Sequence, residues 1–179
     1  MFHKIMVAMD ASAIGKNVFD KALALAKATG SSLMLLHVLS PEEKDSPNML
    51  VFPSVGYYPG LSGRDLKIFY QKQWQTLEDH GLELLRSRTD EATAAGVSTE
   101  FTQNPGNPGR TICDLARNCE ADLIVMGRRG HSGLSELILG SVSNYVLHHA
   151  PCSVLIVQYP VKPSTQCTTD QSSSVSTLN

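Results

Sequence analysis

The chain has 179 residues, enough for one domain with a substantial core, and 15 Lys and Arg against 17 Asp and Glu leave a formal charge of −2. Such a balance excludes a broad basic field inviting nucleic acid or an anionic membrane, so any recognition of phosphate has to be local. The start, MFHKIMVAMD, meets Asp10 before a signal-peptide core can form, and no apolar run approaches a membrane span, so a cytoplasmic protein is expected.

Residues 4 to 9, KIMVAM, read as a strand buried on both faces of a parallel sheet and closed by Asp10. An aspartate there either caps the next helix, as Ser12 also could, or faces a ligand, because the crevice of an open α/β sheet lies beyond the carboxyl ends of its strands. Ile14, Val18, Ala22, Leu25 and Ala26 predict an amphipathic helix over 14–29, stopped by Gly30. Ser31 to Leu39 is the second buried strand, reached through a right-handed crossover. The stretch from Pro41 to about residue 65 holds four prolines, three glycines and three aromatics, and is too long for a routine connection. It reads as a loop insertion, either a surface elaboration or a lid.

Leu66, Phe69, Tyr70, Trp74, Leu77, Gly81, Leu84 and Leu85 recur at helical spacing and predict one long covering helix from Arg64 to Ala95, bent near Gly81. Val97 to Gln103 alternates as a strand with one wet face. The cluster from Asn104 to Gly109 is a turn, bordering any site at most, before a helix from Pro108 to Asn118 with Ile112, Leu115 and Ala116 inward. Leu123 to Met126 is a fourth apolar strand, Ser141 opens a helix with Val142, Tyr145, Val146 and His149 on one face, and Cys152 to Gln158 is the fifth strand. Strict alternation of strand and helix implies a single doubly wound α/β domain over 1–159, with a parallel sheet covered on both faces. Beyond it, residues 160–179 read as a disordered tail, with 9 Ser or Thr among the 17 residues from Pro163.

Cys113, Cys119, Cys152 and Cys167 lack C-x-x-C spacing, and the adjacent His148 and His149 do not make the i, i+4 pair a zinc site favours, so buried thiols and no structural metal are expected.

The richest stretch follows the fourth strand. Glycines stand at 127, 130, 133 and 140, and Ser141 then starts a helix. A strand, a glycine loop and a helix N-terminus make an anion site: the first helical N–H groups lack acceptors, and glycines let phosphate oxygens approach the main chain. Neither the Walker pattern G-x-x-x-x-G-K-[ST] nor the dinucleotide pattern G-x-G-x-x-G is present. What stands there is G-x2-G-x9-G-[ST], carried by Gly127, Gly130, Gly140 and Ser141. With MGRRGHSGLSELILGSVSNYVLHHAPCSVLIV around it, and KIMVAMDAS and LMLLHV earlier, the sequence resembles the ATP-binding branch of the universal stress protein family over residues 2 to 158.

The resemblance implies a five-stranded sheet of order 3-2-1-4-5, with Asp10 and Gly127 opening into one crevice. It further implies an adenine nucleotide (ATP, ADP or AMP), any Mg2+ arriving with it. The backbone at Ala8, Met9 and Val38 would face the base, although Val38 also reads as plain core, and Asp10 would lie beside the nucleoside. Met126, Gly127, Arg129, Gly130, His131, Gly140, Ser141, Val142 and Ser143 would border the phosphates. Arginine at 128, where the family often has a smaller residue, reads more simply as solvating the loop. Ala11 replaces a common glycine and requires φ below zero there. With no Walker lysine, paired acidic metal site or evident base, a regulatory or stress-response module is expected, as a homodimer through strand 5. The competing readings are a weak ATPase or phosphotransferase, and an interaction module that binds no nucleotide.

Overall fold

The computed structural model describes residues 1–40, 63–128 and 139–158; residues 41–62 of the expected insertion, most of the glycine loop and the tail lie outside them. The elements are β1 (Lys4–Ala8), α1 (Ala13–Thr29), β2 (Ser32–Leu39), α2 (Gly63–Ala94), β3 (Thr99–Pro105), α3 (Pro108–Asn118), β4 (Leu123–Gly127), α4 (Ser141–His149) and β5 (Ser153–Val157). They form one parallel sheet in the order β3-β2-β1-β4-β5, as expected. In register, Ile5 lies between Leu33 and Leu123, and Ala8 between Leu36 and Met126, so β1 and β4 finish at nearly one level while β2 runs on to Leu39 beside β3.

The pleat divides the core. Ile5, Val7, Leu33, Leu35 and Val125 pack with Val18, Phe19 and Ala22 of α1 and Leu85 and Ala92 of α2. Met6, Leu36, Ile124 and Met126 point the other way, onto Ile112, Cys113 and Ala116 of α3 and Val146 of α4. Residues on β1 and β4 are therefore buried on both sides, which is why those strands read as unbroken apolar runs. Each fully buried aliphatic side chain contributes about 1.5–3 kcal/mol.

β3 runs on to Pro105, two residues into the turn expected over 104–109, because Asn104 and Pro105 still pair with Val38 and Leu39 of β2; two further boundaries differ from the sequence reading for physical reasons. β3 starts at Thr99 rather than Val97, because the Val97 N–H still belongs to the C-terminal turn of α2: it donates to the Ala92 carbonyl at 3.0 Å around Gly96, whose φ is 81°. α2 begins at Gly63, so it claims the last three residues of the 41–65 insertion. Gly81, which suggested a bend, has a packing reason: a Cβ there would stand 2.5 Å from His37 Nδ1 and 2.8 Å from Gln103 Oε1. Alanine normally gains about 1 kcal/mol over glycine inside a helix. At Gly81 overpacking of about 1–3 kcal/mol outweighs that gain, so Gly81→Ala is expected to lower the urea midpoint with an unchanged slope.

At the opposite end of the sheet from the crevice, Asp122 ties the chain start to β4. Its carboxylate accepts from the N–H of His3 at 2.7 Å and of Lys4 at 3.3 Å. Desolvation pushes its pKa up, but those two donors and the His3 ring together hold it below the usual carboxylate range. A depressed folded pKa stabilises above the unfolded value and is lost as pH falls through the folded one. Asp122→Asn is accordingly expected to flatten the acid limb of a stability–pH profile, while at neutral pH it loses stability. Cys113 is buried and Cys119 and Cys152 are half-buried as free thiols. Burial foremost raises Cys113 and Cys152, Asp114 and Asp122 respectively adding to it, which keeps both protonated.

Candidate functional site

Beyond the carboxyl ends of β1, β2 and β4 lies a cavity of about 310 Å³, at the strand-order reversal where open α/β sheets place ligands. Ten of the site residues read from the sequence line it: Ala8, Met9, Asp10, Val38, Met126, Gly127, Gly140, Ser141, Val142 and Ser143. The other three, Arg129, Gly130 and His131, lie outside the described residues.

One wall is the turn after β1. Asp10 Oδ1 accepts from the Ser12 N–H at 3.1 Å and also bonds the Ser12 hydroxyl, and Ser12 Oγ in turn accepts from the Gly15 N–H at 3.3 Å. Ser12 is therefore the N-cap of α1, and Asp10 holds the cap while lining the cavity. Of the two residues read as a possible cap, Ser12 takes that role and Asp10 supports it from the cavity wall. Gly15 is fixed by the same turn, since a Cβ there would stand 2.1 Å from the Asp10 carbonyl oxygen. Among the described residues Glu120 is the one non-glycine with positive φ, so the backbone at Ala11 tolerates the missing glycine.

The facing wall is β4 and α4. Gly127 does not adopt positive φ; its small size matters because a Cβ would lie 3.2 Å from Val18 and 3.3 Å from Ile14 on α1. Gly140, at φ −60° and ψ 155°, is the N-cap of α4, and among the described residues no side chain caps that helix. The main-chain N–H groups of Ser141, Val142 and Ser143 thus form an N-terminal turn facing the cavity, with the positive end of the helix dipole behind them. The buried Ser143 hydroxyl donates to the Gly127 carbonyl at 3.2 Å and pins α4 to the end of β4. The hydroxyl expected near phosphate thus donates within the protein.

The sequence reading missed part of the lining. Ile14 and Val18 serve both core and cavity, and Ile112 closes the side formed by α3 beside Pro108, which lies in the turn expected to border the site at most; the N-cap of α3, Asn107, accepts from the Arg110 N–H at 3.2 Å. His37 and Ser40 also line it and are buried. A histidine inside an otherwise apolar strand was the one available signal for His37. Arg128 donates its N–H to the Val157 carbonyl at 3.0 Å and extends the β4–β5 pairing. Among the described residues no group of His, Cys, Asp and Glu is arranged to hold a metal ion, and no helix is long and apolar enough to cross a membrane.

Comparison with known proteins gives this architecture a setting. The model of the Universal stress protein family matches residues 1–158. Universal stress protein Sll1388 of Synechocystis sp. is 38% identical over 158 residues, covering 88% of this chain and 99% of that protein. A universal stress protein solved in complex with cAMP superposes with a TM-score of 0.59 at 25% identity, over 87% of this chain and 97% of the other. An Arabidopsis thaliana universal stress protein family protein with AMP bound gives 0.54, also at 25% identity, over 87% and 91%.

Proposed function

The chain belongs to the universal stress protein family, and from that premise we propose that it is an adenine-nucleotide-binding regulatory protein whose site is the cavity between Asp10 and α4. The observation that carries this reading is the α4 N-terminus, which no side chain among the described residues caps and which opens onto a cavity at the sheet's switch point. The cAMP and AMP complexes of similar proteins support the choice of an adenine nucleotide. In this reading the backbone at Ala8, Met9 and Val38 faces the base and Asp10 lies beside the ribose. Gly127, Gly140 and the N–H groups of Ser141 to Ser143 take the phosphates, together with Arg129, Gly130 and His131. Any Mg2+ comes in on the phosphates, held by them rather than by a protein ligand set.

Mass spectrometry of small molecules released from the mildly denatured protein tests the proposal, followed by calorimetric titration of the stripped protein with ATP, ADP, AMP and cAMP. A released adenine nucleotide, or saturable heat with one of the four, is expected. Nothing released and no heat from any of them removes the reading.

We further propose a homodimer through β5. This strand is one edge of the sheet, and its burial alternates, with Leu155 left 40% exposed and Leu147 of the adjacent α4 47% exposed. An apolar edge with unpaired backbone groups favours pairing with its own copy. Leu155→Lys is expected to shift the mass measured by light scattering toward the monomer, and an unchanged mass counts against the β5 interface.

A further inference from the structure

The end of β2 that borders the cavity is paired on one side only. Along β2 the main chain alternates. The Ser32 N–H donates to the His3 carbonyl at 2.8 Å and the Leu36 carbonyl accepts from the Met9 N–H at 3.0 Å, both toward β1. The Leu33 N–H donates to the Ser98 carbonyl at 2.9 Å and the Leu39 carbonyl accepts from the Gly106 N–H at 3.0 Å, both toward β3. Val38 is in phase with Leu36, so its N–H and C=O turn to the β1 side, where β1 has ended at Ala8 and the cavity opens. His37 to Leu39 pair with Gln103 to Pro105, and among the described residues no strand continues on their other side.

α2 backs this segment through His37. The His37 side chain continues the row of Leu33 and Leu35, which faces α1 and α2, and it is 3% exposed while lining the cavity. Its ring lies against Gly81, where a Cβ would stand 2.5 Å from Nδ1 and 2.8 Å from Cε1. Gln103, level with His37 on β3, reaches the same turn of α2, its Nε2 donating to the Glu78 carbonyl at 3.1 Å. Gln103 Oε1 is buried and has no hydrogen-bond partner among the described residues, which costs stability. Packing alone would favour an apolar contact. A polar contact without slack beside a cavity is the kind retained for function.

Resting on the nucleotide reading above, we infer that His37 is a positioning residue for the base. Lodged between Gly81 and the cavity, it fixes the main chain at Val38, so a position on α2 that does not line the cavity governs which base is accepted. The Val38 N–H and C=O set a donor beside an acceptor. A 6-aminopurine meets them with an acceptor at N1 and a donor at its amino group. A 6-oxopurine presents N1–H and O6, the reverse order, and leaves both main-chain groups unpaired.

Calorimetric titration of the stripped protein with ATP against ITP, and with AMP against IMP, tests this below the melting temperature of every variant. Wild type is expected to favour the adenine form. Gly81→Ala pushes the ring toward the cavity and His37→Ala removes it. Each is expected to weaken the adenine nucleotide about tenfold, the scale of one hydrogen bond, and to narrow the adenine-to-inosine ratio by as much. In the His37→Ala background the added methyl meets no ring, so the double variant is expected to match His37→Ala. A role in stability alone lowers Tm and leaves the ratio between two ligands of one site unchanged. Variants that keep the wild-type ratio, a double variant whose losses add, or a wild type that takes both forms equally overturn the inference while the nucleotide reading stands. A wild type that binds no adenine nucleotide removes that reading and the inference with it. Where Gly81→Ala does not fold, His37→Ala against wild type still reads the ratio.

Discussion

Gly15→Ala is expected to destabilise the fold and weaken nucleotide binding together, although the change adds a single methyl group near a helix start. The new Cβ would stand 2.1 Å from the Asp10 carbonyl oxygen and 2.9 Å from Asp10 Oδ1. Since the nearer neighbour is main chain, no rotamer relieves the clash, and either the turn after β1 or the start of α1 has to move. Overpacking of this kind costs about 1–3 kcal/mol. Displacing Asp10 also loosens Ser12, whose hydroxyl receives the Gly15 N–H at 3.3 Å, and a lost N-cap is worth about 1 kcal/mol. A fall in Tm of about 4–16 °C follows for a domain of this size. Ser12→Ala separates the contributions, for it removes the cap without adding bulk and is expected to cost about 1 kcal/mol. Should Gly15→Ala melt at the wild-type temperature, the turn is not the rigid wall described above, and Asp10 is not held in place by it.

Gly15 also illustrates what a single sequence conceals. The order of strands and helices was legible because parallel strands buried on both faces read as apolar runs, and α1 and α3 carry regular stripes ended by Gly30 and begun by Asn107 and Pro108. Close approaches between elements leave no periodic trace. Gly15 and Gly81 sit inside helical patterns where a glycine reads as a weak point or a bend, yet each marks where another part of the chain comes nearest. The cavity shows the same division. Residues at strand ends and at the α4 start could be placed from motif and topology. Ile14, Val18 and Ile112 could not, since one side chain can face core and cavity at once and periodicity records only that it is inward. Hydroxyls were the least legible group: Ser141 and Ser143 look equivalent in sequence, but Ser143 is buried against the Gly127 carbonyl.

Gly140→Val is expected to abolish nucleotide binding with little effect on the fold, and that separation makes it the most direct probe of the proposed phosphate cradle. At φ −60° and ψ 155° the backbone of Gly140 lies in a region that valine adopts readily, so no left-handed conformation is lost. A glycine replaced at a compatible position even gains about 0.4–1 kcal/mol from a less flexible unfolded chain. The β-branched side chain would, however, add bulk beside the first-turn N–H groups of α4, on the wall of the cavity. An acceptor kept off those groups loses charge-assisted hydrogen bonds of about 1.5–3 kcal/mol each. Losing two of them weakens binding at least about 100-fold. Calorimetry on the stripped protein reads the affinity, while circular dichroism, melting temperature and sedimentation report an intact fold and assembly. Adding Gly130→Val extends the same test to the part of the loop outside the described residues. If the double variant still bound ATP with nearly wild-type affinity, the assignment of phosphate recognition to residues 127–143 would be wrong, and an interaction module that keeps this fold without a nucleotide would take its place.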